Sequence, residues 1–167
     1  MPSDFYLKID GVKGETTAKD MKEFMEVLSF SFGASNPNTI GSHGGGSSGG
    51  KVSISSFNIM KRTDSASPTL FQMCCSGDHA KSAEMHIKKA SGKDGGQATF
   101  IKYAFEQVFI DSIQWSGSSG GDPYPSESLS FSFGKVTVSY YVQDDKGKIA
   151  SASQDAMWNL VTNDAKA

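Results

Sequence analysis

"ESLSFSFGKVTVSYYVQD", residues 127–144, is the stretch on which the fold turns. Apolar side chains alternate along it, the pattern of a half-buried β-strand, but the alternation changes phase part-way. Leu129, Phe131 and Phe133 fall at odd positions, whereas Val136, Val138, Tyr140 and Val142 fall at even ones. A strand that changes its buried face at Gly134 needs a bulge or a corner there, because a slip of one residue turns every side chain to the other side. Corners of that kind let one long strand serve two sheets, as closed barrels and orthogonal sandwiches require. The hexapeptide "LSFSFG" at 129–134 also stands at 28–33, with Glu two residues ahead of each copy. Either an internal structural duplication or the convergence of two short strands would produce this repeat.

Working outward, further strand patterns surround this one. "DFYLKID" (4–10) sets Phe5, Leu7 and Ile9 against Tyr6, Lys8 and Asp10. "EFMEVLSFSFG" (23–33) places Phe24, Leu28, Phe30 and Phe32 on one face. "VSISSFNIMKR" (52–62), "AEMHIKKA" (83–90) and the apolar stretch Thr99–Trp115 read as β as well. One segment departs from the pattern. In "SPTLFQMCCSG" (67–77), Ser67 suits an N-cap, Pro68 the first helical position and Gly77 the end of a helix. Leu70, Phe71 and Cys74 then fall at helical spacing, which predicts about three turns packed on a sheet. Gly/Ser-rich connections occupy 34–51 and 116–126. The chain is therefore expected to be one mainly β domain, residues 1–167, with one short α-helix at about 67–77.

The bulk numbers narrow the function classes. With 167 residues the chain can bury a real core without a disulfide or metal staple. Its 16 basic and 18 acidic residues are interspersed and leave a net charge of −2, so no basic patch points to nucleic acid. Cys74 and Cys75 are adjacent, which suits neither a structural disulfide nor a C-x-x-C site. "MPSDFYLKID" has no basic run leading into a long apolar stretch, so no Sec-type signal peptide is expected. Membrane insertion is not expected either, since no apolar window approaches the roughly 18 residues a spanning helix needs.

Three chemical motifs tempt and fail. Gly45 to Lys51 spells G-x-x-x-x-G-K, but Val52 follows in place of Ser or Thr, and "KVSISSFNIM" reads as a strand rather than a helix. The same loop fits the nucleophile elbow G-x-S-x-G around Ser47, and the loop at 117–121 fits it around Ser119; neither opens a helix. His43, His79, His86 and the two cysteines lack metal-ligand spacing. Asp144 and Asp145 join Lys146-Gly147 in an ordinary turn pattern. No catalytic residue, cofactor or metal is expected.

Five stretches carry a resemblance over nearly the whole chain: "LKIDGVKGE" (7–15), "VLSFSFG" (27–33), the Gly-rich run ending "GKV" (50–52), "DSASPTLFQMCCSGDH" (64–79) and "QVFIDSIQWSG" (107–117). "AEMHIKKASG" (83–92) matches as well. In 64–79, Pro68, Leu70, Cys74, Gly77 and His79 fit the pattern P-x-L-x-x-x-C-x-x-G-x-H. The chain resembles the haemolysin-coregulated protein (Hcp) family, the tube subunits of bacterial type VI secretion systems. Cys75 is an extra thiol, and the segment after Val142 matches weakly. The resemblance implies a two-sheet antiparallel β-barrel with one helix against it. It further implies homohexameric rings that stack into a hollow tube, propelled by a contractile sheath, capped by a spike protein and carrying effectors. Such a subunit is made in the cytoplasm and secreted through the type VI apparatus without a signal peptide.

Within that frame, the loop Gly44, Gly45, Gly46, Ser47, Ser48, Gly49 and Gly50 is too long for an ordinary hairpin and is expected to contact a stacked ring. Alternation puts Phe30 and Phe32 into the core and turns Ser29 and Ser31 outward; the resemblance implies that this strand lines the channel, so Ser29 and Ser31 are expected to face the lumen. The rival reading is a monomeric β-barrel that binds a small ligand or glycan in its mouth, with Trp115, Tyr124 and Tyr140 as candidate lining. A hydrolase acting through Ser47 or Ser119 is a third.

Overall fold

The computed structural model describes residues 3–39, 48–91 and 96–166. Its elements are β1 (Asp4–Ile9), β2 (Met25–Val27), β3 (Ser29–Ser31), β4 (Ala34–Ser35), β5 (Asn38–Thr39), β6 (Ser48–Gly49), β7 (Ser53–Ile54), β8 (Phe57–Arg62), α1 (Ser67–Ser76), β9 (His79–Ser91), β10 (Gly96–Ser116), β11 (Ser126–Gln143) and β12 (Ile149–Asn159). The main antiparallel sheet runs β2-β1-β9-β10-β11-β8-β3, with β12 also paired to β11. Its two ends, β2 and β3, are consecutive in the chain, and the Leu28 amide between them donates to the Met60 carbonyl at 2.7 Å. The sheet thus curls round to a nearly closed barrel with α1 packed against it, the expected fold.

The corner at Gly134 is real and is shared by neighbouring strands. Phe133 and Val136 are both buried on β11, Phe105 and Val108 on β10, and Ala80 and Ala83 on β9, so three strands change face at one level. Register places Glu106 opposite Lys135 and Val108 opposite Phe133, which leaves Gln107 facing Gly134. Gln107 bends into the left-handed region with φ 57°. A Cβ on Gly134 would lie 2.6 Å from Gln107 Oε1 and 3.3 Å from Gln107 Cβ. Glycine is favoured here by close approach, not by its own dihedral, since any Cβ would push the Gln107 side chain aside. Beyond the corner β11 changes partner: residues 126–131 pair with β8, and 135–143 with β12.

Both copies of "LSFSFG" feed one aromatic core, on either side of β8. Phe30 stacks on the buried Phe57 at 5.6 Å between ring centres, and Phe131 on the same ring at 5.3 Å. Phe105 meets Phe57 edge-on at 5.0 Å. Burying such a ring is worth about 1.5–3 kcal/mol, so this cluster is a principal source of stability. The copies differ at their first residue. Leu129 is buried, whereas Leu28 is 54% exposed, contrary to the expectation that it shares a face with Phe30. The reason is a second phase slip: Met25 and Val27 point inward while the chain pairs with β1, and Phe30 and Phe32 do so once it pairs with β8. Leu28 is the residue at which the chain passes from pairing with β1 to pairing with β8, across the gap between the two ends of the sheet. Phe24 is buried too, but in a separate small cluster with Tyr6 and Met21.

The helix forms where expected, with its ends assigned differently. The N-cap position falls at Ala66, and Ser67 is the first helical residue rather than the cap. Among the described residues no side chain caps this end; the Asp64 carboxylate accepts the Ala66 amide at 3.0 Å and so fixes the turn that leads into the helix. Gly77, at φ 72°, closes the helix through a bond from its amide to the Met73 carbonyl at 3.1 Å. Leu70 is buried, but Phe71 lies outside, against Trp115.

Residues 34–39 and 48–54 form a two-stranded arm. Ala34 and Ser35 pair with Ile54 and Ser53, and Asn38 and Thr39 with Gly49 and Ser48. The Gly50 amide donates to the Pro37 carbonyl at 2.9 Å. Of the proposed stacking loop, Ser48, Gly49 and Gly50 belong to this arm; Gly44, Gly45, Gly46 and Ser47 lie outside the described residues.

Candidate functional site

The corner divides the barrel's outer surface into two faces of different chemistry. On the face made by β3, β8 and the halves of β11 and β10 beside them, alternate side chains point inward as Phe57, Ile59, Leu129 and Phe131. The residues between them point outward, and register aligns them in rows across the sheet. One row reads Ser29, Met60, Ser128 and Gln114; the next reads Ser31, Asn58, Ser130 and Ser112. Neither row holds a charge. Ser29 and Ser31 therefore do point away from the core, and the structure sets them in a wider surface of hydroxyl and amide groups that the sequence reading did not assemble. A shallow groove of about 140 Å³ crosses it, lined by Ser29, Phe30, Ser31, Asn58, Ile59, Met60 and Ser128.

Charge appears only at the margins of this face. At one end Arg62 holds Asp122 through Nε at 3.2 Å and Nη2 at 2.9 Å. At the other, the Asp111 carboxylate accepts the Ser56 and Ser132 hydroxyls, each at 2.8 Å.

The face formed by β1, β9 and the far halves of β10 and β11 is the opposite in character. Lys8 stands across from Glu84, and Tyr6, His86, Lys102 and Ser139 follow one another from strand to strand. Lys102 Nζ reaches Glu84 Oε2 at 2.9 Å, and Lys135 Nζ reaches Glu106 Oε1 at 3.2 Å. The His86 imidazole, and after it the Lys102 ammonium, hold the Glu84 carboxyl at about 2 instead of 4.5, against the opposing effect of partial burial.

Between the uncharged face and α1 lies a largely buried polar cluster. Lys61 and Glu127 are both 0% exposed and pair in register across β8 and β11. Lys61 Nζ lies 3.2 Å from Glu127 Oε1, 2.8 Å from Asp64 Oδ1 and 3.2 Å from Ser67 Oγ. The Ser67 hydroxyl donates to Glu127 Oε2 at 2.5 Å, and Trp115 Nε1–H donates to the same oxygen at 2.8 Å. The residue types would suit acid–base chemistry, but Lys61, Ser67 and Glu127 are buried, and only Asp64 and Trp115 reach the surface. They clamp the start of α1 to β8, β10 and β11.

Other sequence candidates do not converge. Lys51 leads into β7 and β8, not into a helix whose N-terminus could face a phosphate. Cys75 is exposed on α1, while Cys74 packs partly on the core. Among the described residues, no helix is long and apolar enough to cross a membrane.

Comparison with known proteins gives consistent matches. The family described as "Type VI secretion system effector, Hcp" matches residues 6–140. A Pseudomonas aeruginosa protein named hcp1 is 31% identical over 163 residues, spanning 98% of each chain. A structure described as that of a type six secretion system protein superposes with a TM-score of 0.91 at 34% identity, covering 99% of this chain and 100% of that one. Hcp1 from Salmonella typhimurium gives a TM-score of 0.77 at 26% identity, covering 99% and 100%. The family match stops before β12, but both structural matches extend over it.

Proposed function

The chain belongs to the Hcp family of type VI secretion proteins, and from that premise we propose that it is the structural subunit of a secretion tube. Homohexameric rings stack into a hollow tube, with the uncharged β3–β8–β11–β10 face turned to the lumen. The observation that carries this reading is the contrast between the two outer faces. A wall of serine, asparagine and glutamine is wetted without fixed charge, so it neither holds nor repels a passing polypeptide by its net sign. Charged side chains on the opposite face suit contact with solvent and with the surrounding sheath.

Assembly needs contacts that close, and the barrel offers groups to make them. Among the described residues β12 pairs with β11 alone, which leaves the backbone groups of its far edge open to a neighbour. The arm built by β4 to β7, together with the loop Gly44–Gly50, is the candidate for ring-to-ring contact. In this reading the protein performs no turnover; it assembles, carries effectors in the lumen and leaves the cell beneath a spike protein, driven by the sheath. A monomeric ligand-binding barrel has less support. Its interior is filled by the Phe57 cluster, and the Trp115 indole N–H is already committed to Glu127.

The test is Ser31→Arg. Rings should assemble normally and retain co-expressed effector about tenfold less well. A monomeric product would instead place Ser31 at a subunit contact and contradict the lumen assignment.

A further inference from the structure

We propose that Met60 makes the channel wall a docking point for uncharged, apolar segments of a cargo polypeptide; this rests on reading the uncharged face as the lumen. In the two outward rows, Met60 is the apolar member among hydroxyls and amides, and it is 39% exposed. It borders the groove of about 140 Å³ together with Ser29, Ser31, Asn58 and Ser128. The floor of the groove is apolar as well, made by Phe30 and Ile59.

Charge decides what fits. Among the described residues, none that lines the groove carries a charge, so a charged side chain entering it would lose hydration with no counter-ion in return. An apolar side chain loses nothing of that kind and removes Met60 surface from water as it enters. The thioether is flexible and polarisable, so it can follow side chains of different shape, as suits a carrier that holds more than one cargo. The flanking serine hydroxyls can donate to and accept from the backbone of an extended segment. A single such contact is weak, but a ring repeats it once per subunit, and several linked contacts raise the effective affinity.

The experiment uses the full chain with ¹³C-methyl methionine, the Met60 resonance being identified by its loss in Met60→Thr. Three blocked peptides of equal length are titrated: alternating Leu and Ser, and the same sequence with Lys or with Asp in place of Leu. The Leu/Ser peptide should shift the Met60 methyl saturably and bind about tenfold more tightly than either charged peptide. Met60→Thr, a strand-compatible change at an exposed position, should still form rings and bind the Leu/Ser peptide about tenfold less well. Intact rings with an unmoved Met60 methyl, or equal binding of all three peptides, would overturn the docking point. A monomeric mass for the same sample would remove the channel wall itself, and with it the cargo role.

Discussion

Lys61 occupies an inward position of β8, two residues beyond Ile59, and Glu127 an inward position of β11, two residues before Leu129. Both therefore carry charge into the core, where desolvation is costly and only mutual pairing with added hydrogen bonds offsets it. Glu127→Ala should destabilise the fold by about 1–3 kcal/mol, because it leaves the buried Lys61 ammonium with Asp64 as its one carboxylate and takes the acceptor from Ser67 and Trp115. The double variant Lys61→Met with Glu127→Leu should recover most of that loss. Urea unfolding at fixed protein concentration measures both, and a double variant no better than the single would mean that the cluster does more than balance its own charges. This cluster was legible in principle: the alternation that buries Phe57 and Ile59 continues to Lys61, and the one that buries Leu129 and Phe131 extends back to Glu127. Reading apolar residues alone hid it, and with it the real task of Ser67, whose hydroxyl serves Glu127 rather than a helix end.

At the scale of elements, the phase of a strand pattern proved informative wherever its two halves were each several residues long. The slip at Gly134 announced a corner, and the corner is there because both halves of β11 carry enough apolar residues to define a face. The slip at Leu28 escaped notice because β2 and β3 are three residues each, too short for either phase to stand out. The two "LSFSFG" copies make the same point: identical residues bury their phenylalanines alike, yet the leucine is exposed in one and buried in the other, since tertiary pairing decides. Gly134→Ala should cost about 1–3 kcal/mol through contact with Gln107. Adding Gln107→Gly, which removes the contact and suits a positive φ, should restore most of it. If thermal unfolding shows the same loss with and without Gln107→Gly, the corner is not held by that approach.

For the whole molecule, barrel, helix and family could be read from the chain, whereas the outer faces could not. A face is assembled by register between strands far apart in sequence, and Ser31, Asn58, Ser130 and Ser112 become neighbours only once β3, β8, β11 and β10 are aligned. The arm's short ladders were hidden for a related reason, since glycine, serine and asparagine carry no alternation to betray a strand. Deleting Gly44–Gly50 should leave rings intact and shorten or abolish stacks in electron micrographs. Stacks of normal length would remove the loop from the ring-to-ring contact. The lumen, the stacking contact and the cargo role all depend on closure into a ring, so the most direct test is the solution mass of the purified protein by light scattering, with negative-stain images of the same fraction. The tube-subunit account predicts ring-shaped particles with six times the 17.8 kDa mass of one chain. A monomer across a wide concentration range would contradict it.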